Sequence, residues 1–467
     1  MELFAIPVEG KFILYRPLRR LAFVGNRAMA DLTLALAHGE TSSNSPPGEA
    51  AAFLEAIGFL EPDPPPPPPP LSAYRPATAV LLLTGRCNLR CTYCYAAGGE
   101  RTGQDLSPAL ARTVIDQVCR NAMDLGYPYF ELTFHGGGEP VQAWDLLQQA
   151  VAYARSKELP CHVSMVSNGV WSAPQREWLL RHLDSLSLSF DGQPLTQNRQ
   201  RPFANGRGSF QAVMRTIEAL DRAGFSYGIR LTATAPWQGR LPEDVRFICQ
   251  ETGCQAMQVE PAFNTRRGVH QGPTWKESQA FVEAFMEAFE IACSAGRQLI
   301  YSGARPWLLT RSFCTAPYSA LIVNPIGQLV ACYEVADGDH PLAKMSILGH
   351  VADGQVMVDD RARAAFRAYL EEQRATCRDC FCYWHCAGDC YTRRSAAQPG
   401  YPPGASPRCA MNREITARIL LWYIAHSDGV WQGQSGQPQA MQLQRTLSRQ
   451  NKIEHGSRPA CAVACDL

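Results

Sequence analysis

Three cysteines sit in Gly85-Arg86-Cys87-Asn88-Leu89-Arg90-Cys91-Thr92-Tyr93-Cys94-Tyr95, spaced CxxxCxxC just after the apolar run Ala79 to Thr84. Thiols so close in sequence can converge on one inorganic centre. Soft thiolates suit iron–sulfur clusters and zinc alike. A four-iron cluster needs four ligands and this stretch offers three, so the fourth iron would stay open to a ligand that is not cysteine. A second signal is Phe134-His135-Gly136-Gly137-Gly138-Glu139-Pro140. Consecutive glycines let the backbone approach a ligand closely, and Glu139 adds a carboxylate suited to an ammonium group. Ser167-Asn168-Gly169 and Ser189-Phe190-Asp191-Gly192 put small polar groups where a ribose could be held.

The elements that must position these residues alternate. Strand-like runs fall at Val80–Thr84, Phe130–His135, His162–Ser167, Ser185–Phe190, Tyr227–Thr234 and Ala256–Glu260. Helical patterns fall near Ala109–Leu125, Trp144–Ser156, Glu177–Leu183, Gln211–Ala223 and Pro242–Thr252. Such alternation predicts an α/β fold: a parallel sheet of six βα units curled into a partial (β/α)6 barrel. Active residues in such folds sit on loops at the carboxyl ends of strands, which is where all the motifs above fall.

At 467 residues the chain has room for two or three domains. A net charge of +1 gives no argument for nucleic acid or a membrane surface. No apolar run reaches the roughly 18–20 residues of a spanning helix. The start, Met1-Glu2-Leu3-Phe4, is acidic rather than a basic targeting region, so a cytoplasmic location is expected. In a long chain read this way, eighteen cysteines suggest metal ligands rather than disulfides.

Cys87, Cys91 and Cys94 followed by Gly137-Gly138-Glu139 resemble the radical S-adenosylmethionine (SAM) enzymes, the likeness covering about residues 79–260. The resemblance implies that the methionyl amine and carboxylate of SAM chelate the open iron of a [4Fe-4S] cluster. One electron then splits the sulfonium to a 5′-deoxyadenosyl radical that abstracts a substrate hydrogen. It also implies that Glu139 binds the methionyl amine with the Gly137–Gly138 backbone. Tyr93 would lie near the adenine, Ser167, Asn168 and Ser189 near the ribose, and Arg199 against the carboxylate. The competing reading of CxxxCxxC is a zinc loop with the glycines as a tight turn.

Downstream, Cys314 and Cys332 bracket a strand–turn–strand pattern containing Gly327, followed by Cys377-x2-Cys380-x5-Cys386-x3-Cys390 and then Cys409. These seven thiols resemble the SPASM extension of radical enzymes that modify peptides and proteins, which holds two auxiliary [4Fe-4S] clusters. By that likeness Cys377, Cys380, Cys386 and Cys409 hold an outer cluster, and Cys314, Cys332 and Cys390 an inner one. The fully ligated form has a further cysteine six residues before the Cys314 position, where this chain has Leu308. The inner cluster would then keep an open iron, or take a ligand such as Cys293 or Cys382. An open iron could bind a substrate thiolate, water or a carboxylate. A zinc site is again the alternative. In the related anaerobic sulfatase maturases a catalytic Asp directly follows the cysteine matching Cys332; here Tyr333 stands there, with Glu334 next.

The chain thus divides into a small N-terminal α+β domain (1–63), a polyproline linker (64–75), the barrel (76–300), an auxiliary-cluster domain with a closing helix (301–427) and a polar tail (428–467). Residues 1–63 resemble the winged-helix elements that grip leader peptides by adding them as a strand to a sheet edge. Pro64–Pro70 should form a semi-rigid polyproline II spacer of about 20 Å at about 3.1 Å per residue. Cys119, Cys161, Cys249, Cys254 and Cys293 lie in apolar or helical runs and read as buried; one could donate a hydrogen atom in an epimerisation. Cys461 and Cys465 read as free thiols on a tail, or as a substrate-like sequence fused to its own enzyme.

The function expected is peptide maturation: hydrogen abstraction from a residue of a ribosomally made precursor peptide, giving a thioether or other crosslink or an epimerised centre. Three [4Fe-4S] clusters, SAM and a flavodoxin- or ferredoxin-type reductant would be needed. The alternatives are a maturase of sulfatase type and a zinc-stabilised peptide-binding protein.

Overall fold

Strands β4 (Thr78–Leu81), β5 (Phe130–Phe134), β6 (Cys161–Ser167), β7 (Ser185–Ser189), β8 (Tyr227–Thr234) and β9 (Ala256–Ala262) run parallel and in sequence order, as the alternation predicts. They follow a smaller sheet of β1 (Phe4–Val8), β2 (Lys11–Arg16) and β3 (Leu21–Gly25). This computed structural model describes residues 1–433 except 39–47, 71–72, 101–102, 264–266, 268–271, 337, 398–399 and 403. Cys461 and Cys465 therefore lie outside the described residues.

Helices between the strands begin where the chain supplies caps. Ser107 and Ser172 accept from the helix backbone at Leu110 and Gln175, each with a proline just inside. The helices bury Val114, Ile115, Leu147, Val213, Ile217 and Ile248 against the sheet, whose own inward rows include Leu132, Val163, Leu188 and Ile229. Together these form one continuous apolar core.

The sheet continues past both ends of the barrel. Strand β10 (Gln298–Ile300) adds parallel to β9, and β11 (Ala320–Val323) adds parallel to β4. Strands β12 (Gln328–Val330), β13 (Ile347–Ala352) and β14 (Gln355–Val358) then extend it antiparallel, giving eleven strands. The β11–β12 turn holds Gly327 at φ +81°, the left-handed region glycine enters without strain. The cysteine-rich segment is thereby anchored to the barrel strand that precedes the first thiol loop.

Two stretches carry contacts that the sequence does not announce. The polyproline stretch is strapped to the later part of the chain: Arg311 Nε donates to the Pro67 carbonyl and Arg367 Nη2 to that of Pro70, at 3.2 Å. Polyproline II repeats every three residues, so Pro67 and Pro70 share the half-buried face while their neighbours are exposed. Nor does packing stop at 427. Strand β15 (Val430–Trp431) pairs antiparallel with β3, and Trp431 is fully buried, stacked on Tyr423 at 5.7 Å.

The small sheet has two buried faces because side chains alternate along its strands. Ile13 and Tyr15 face the main core, whereas Leu14 joins Phe23, Leu54 and Phe59 under its own helices. Its edges are β1 and β15.

Candidate active site

Each parallel strand delivers its motif to the same rim. The loop after β4 carries Cys87, Cys91 and Cys94; the ends of β5, β6 and β7 carry Glu139, Ser167 and Ser189; β8 and β9 present Arg230 and Glu260. They line one cavity of about 360 Å³, together with Cys314, Cys332 and Cys390 from the cysteine-rich segment. Residues more than 300 positions apart are thus brought to one space.

The glycine run docks the thiol loop. The Gly138 N–H donates to the Thr84 carbonyl at 2.7 Å, and the Glu139 N–H to that of Arg86 at 2.9 Å. A Cβ on Gly138 would lie 2.0 Å from the Arg86 oxygen, so no other residue fits without moving the loop. Arg267 ties the opposite side, donating to the carbonyls of Cys91 (2.9 Å) and Gly98 (2.7 Å).

Glu139 is buried. It accepts from Ser167 Oγ at 2.6 Å and from the Asn168 N–H at 2.8 Å. Burial pushes its carboxyl up to about 7 despite these bonds. The Ser167 hydroxyl proton is thereby committed to Glu139, while its oxygen accepts from Trp171 Nε1 at 2.9 Å. Asn168 braces the thiol loop: Nδ2 donates to Asn88 Oδ1 at 2.7 Å and lies 3.8 Å from Cys87 Sγ. Ser167 and Asn168 therefore shape the floor under Glu139.

Tyr93 also lines the cavity. Its hydroxyl donates to Asp191 Oδ2 at 2.8 Å, and the Arg201 guanidinium lies over its ring at 5.1 Å. Arg199 corrects an expectation: it is exposed on the helix Pro194–Gln200 and does not line the cavity, whereas Arg201 does. The helix ends at Gln200 and Arg201 caps it with non-helical backbone (φ −126°, ψ 58°), so the chain changes direction between the two arginines. The hub role of Asp191 is not legible in Ser189-Phe190-Asp191-Gly192, because nothing local marks a partner ten residues away.

Burial raises the Cys87 and Cys91 thiols to about 11 and about 12. Thiols so placed need a positive centre to ionise. At the far wall Arg393 pairs with Glu260 and approaches Glu334 at 3.8 Å. Burial alone would raise Glu260, but Arg393 and Arg408 outweigh it and hold the carboxyl below its usual range. Tyr333 packs edge-on against His135, ring centroids 4.2 Å apart.

Cys377, Cys380, Cys386 and Cys409 line a second cavity of about 210 Å³. Cys382 lines it too, and Cys293 packs at the barrel core on the helix Trp275–Ser294, so neither is in the wall shared by Cys314, Cys332 and Cys390. Thiolates on one zinc, each about 2.3 Å from it, would crowd within about 4 Å of one another. Among the described residues no group of three His, Cys, Asp or Glu converges that way. The thiols line two separate cavities, Cys87, Cys91, Cys94, Cys314, Cys332 and Cys390 the first and Cys377, Cys380, Cys386 and Cys409 the second. None of the described cysteines forms a disulfide.

Residues 81–235 match the Radical SAM superfamily. The chain is 25% identical over 345 residues to mycofactocin maturase MftC of Mycolicibacterium smegmatis, covering 70% of this chain and 81% of that protein. It is 24% identical over 323 residues to sporulation killing factor maturation protein SkfB of Bacillus subtilis, covering 67% and 70%. The structure of native anSMEcpe with bound AdoMet shares the fold, with a TM-score of 0.57 at 16% identity over 74% of this chain and 98% of that one.

Proposed function

Because the chain carries a radical SAM domain over residues 81–235, we propose that it is a peptide maturase that abstracts hydrogen from a residue of a ribosomally made precursor. One observation carries this reading: the first thiol loop, the Gly-Gly-Gly-Glu turn and Cys314, Cys332 and Cys390 all line one cavity. The resemblance to two maturation proteins supports the peptide as substrate class.

A cluster with SAM bound to it supplies one-electron cleavage and hydrogen abstraction from an unactivated C–H bond. The chain's own groups bind and orient. Cys87, Cys91 and Cys94 hold the first cluster. Glu139 receives the methionyl ammonium, which favours its ionised form. Tyr93, fixed by Asp191, flanks the adenine, and Ser189 faces the ribose, with Ser167 and Asn168 bracing Glu139. Arg201 replaces Arg199 as the guanidinium on this side.

Cys314, Cys332 and Cys390 hold the inner cluster, and Cys377, Cys380, Cys386 and Cys409 the outer one. Arg393, Glu260 and Glu334 line the remaining wall and orient the peptide. A leader strand would add to β1, since β15 covers β3; Pro7 removes one donor from that edge. The expected surroundings are a cytoplasm and a flavodoxin- or ferredoxin-type reductant that supplies the one electron the cleavage consumes. Among the described residues no helix is long and apolar enough to cross a membrane. Tyr333, beside the inner thiols, favours this reading over sulfatase maturation.

The test is anaerobic turnover with dithionite, SAM and the peptide encoded beside the enzyme. Expected are about twelve irons per chain, release of 5′-deoxyadenosine and a mass change in the peptide. Metal-replete, reduced protein that releases no 5′-deoxyadenosine would overturn it, as would stoichiometric zinc without iron.

A further inference from the structure

A second strip of chain runs along the first thiol loop. The Arg90 N–H donates to the Pro202 carbonyl at 2.7 Å, that of Thr92 to Gln200 at 2.9 Å, and that of Ala204 to Asn88 at 3.1 Å. Leu89 bridges Phe203 antiparallel. Residues 200–204 thus lie alongside Cys91, and 204–208 beyond them are exposed. The helix Pro194–Gln200 leads into this strip, and Asn198 fastens the far end back to it. Its Oδ1 accepts from the Phe210 N–H at 2.9 Å, and a Cβ on Gly208 would overlap its side chain. Arg199 and Arg207, one residue to either side of this contact, are both exposed. Leu195, four residues before Arg199 on the same helix face, is 46% exposed.

The carboxylates around the loop are already taken. Glu100 pairs with Arg267, Asp105 with Arg86, and Asp191 with Arg201. Among the described residues neither Arg199 nor Arg207 forms an ion pair. Arg90 spends its guanidinium on the carbonyls of Cys87, Leu89 and Gly99, at 2.8, 2.9 and 2.8 Å, so its charge adds to the same side. The outer face of the loop is therefore positive, with an exposed leucine beside the cations.

The inner side of the loop lines the cavity given above to SAM and the peptide. A protein that feeds electrons to this loop has to approach it from outside. Cations flanking an apolar contact fit a partner with an acidic surface. We propose that Arg199, Arg207 and Leu195 dock an acidic one-electron carrier protein on the outer face of the loop that holds Cys87, Cys91 and Cys94. One electron passes per SAM cleaved, from the reduced carrier to the cluster on those thiols. The carrier is oxidised, and no bond forms or breaks in the transfer itself. The inference rests on the radical chemistry proposed above, which consumes that electron.

The experiment separates the two. Turnover of the full reconstituted chain with its peptide is driven in parallel by reduced flavodoxin, reduced ferredoxin and saturating dithionite, with 5′-deoxyadenosine as the readout. The double variant R199E/R207E should raise the KM for a carrier about tenfold or more, because like charges then face each other across the contact. Its iron content and dithionite-driven rate should match wild type, since both side chains are exposed and neither lines the cavity. Added salt should raise the wild-type KM for the carrier and change that of the double variant less. L195S should raise it as well, and R199K should leave it near wild type. An unchanged KM in R199E/R207E with both carriers overturns the proposal. So does an equal loss with dithionite, or carriers that fail where dithionite succeeds. Wild-type protein with its iron in place that gives no 5′-deoxyadenosine from dithionite overturns the radical reading beneath it, and the proposal with it.

Discussion

Arg201 and Asp191 close a buried bidentate pair, Nε to Oδ2 at 2.9 Å and Nη2 to Oδ1 at 3.0 Å. Asp191 also accepts from Tyr93 Oη, Gln200 Nε2 at 2.9 Å and the Thr232 N–H at 2.9 Å. One carboxylate thus joins the thiol loop, the segment after β7 and β8. Removing only the cation leaves that carboxylate buried without its charge partner, which costs about 3–5 kcal/mol. Arg201→Ala should therefore lower stability by that order in urea unfolding and weaken the first cluster. Arg201→Lys should cost less, because the charge remains while the fork geometry is lost.

Glu139 gives a pH signature. Burial raises its carboxyl from 4.5 to about 7 in the folded chain. A folded-state value above the unfolded one means that its stabilising contribution is complete below about pH 4.5 and lost as pH rises through about 7. The loss is on the order of 3 kcal/mol. Before reconstitution, wild-type protein should melt lower at pH 8 than at pH 5, and Glu139→Gln should cancel much of that difference. The same variant should bind SAM more weakly at pH 8, read by calorimetry on the reconstituted protein.

Gly138 has no room to change. Its would-be Cβ meets backbone, not a flexible side-chain end. Gly138→Ala must therefore push the Gly85–Arg86 segment and the thiols beyond it. On the three-cluster reading proposed above, iron should fall from about twelve to about eight per chain, with the auxiliary signals kept. Retention of all three clusters at wild-type stability would contradict this docking role.

Much of the barrel is written locally. Strand β8 runs from Tyr227 to Thr234 as its β-rich run predicts, and the helix starts at Ser107 and Ser172 follow from ordinary caps. The thiol and glycine motifs are legible because spacing within a few residues is itself the chemistry. What the sequence hid depends on partners distant along the chain. Leu82 to Thr84 look like strand, yet β4 ends at Leu81, and the Thr84 carbonyl accepts from the Gly138 N–H of the glycine run. Arg201 outranks Arg199 only because Asp191 and Tyr93 lie on its side. The proline strap needed Arg311 and Arg367, some 240 to 300 residues away, and periodicity carries no such information.

Trp431 tests how far the chain's last described strand matters. It is fully buried between Tyr423 of the closing helix and Tyr15 of β2, and it pairs with Ala22 across β3. Strand β15 has two residues, so its ladder alone would hold it weakly; the indole supplies the grip. Truncating such a buried aromatic costs about 3–5 kcal/mol. Trp431→Ala should therefore destabilise the N-terminal sheet, seen as faster amide exchange along β3 and β2, while the thiol cavities keep their iron. A chain ending at Gly433 should behave as wild type in that measurement, whereas one ending at Gly429 should match Trp431→Ala. If removing β15 leaves exchange along β3 unchanged, this strand does not secure the small sheet, and burial of Trp431 contributes nothing to holding it against the closing helix.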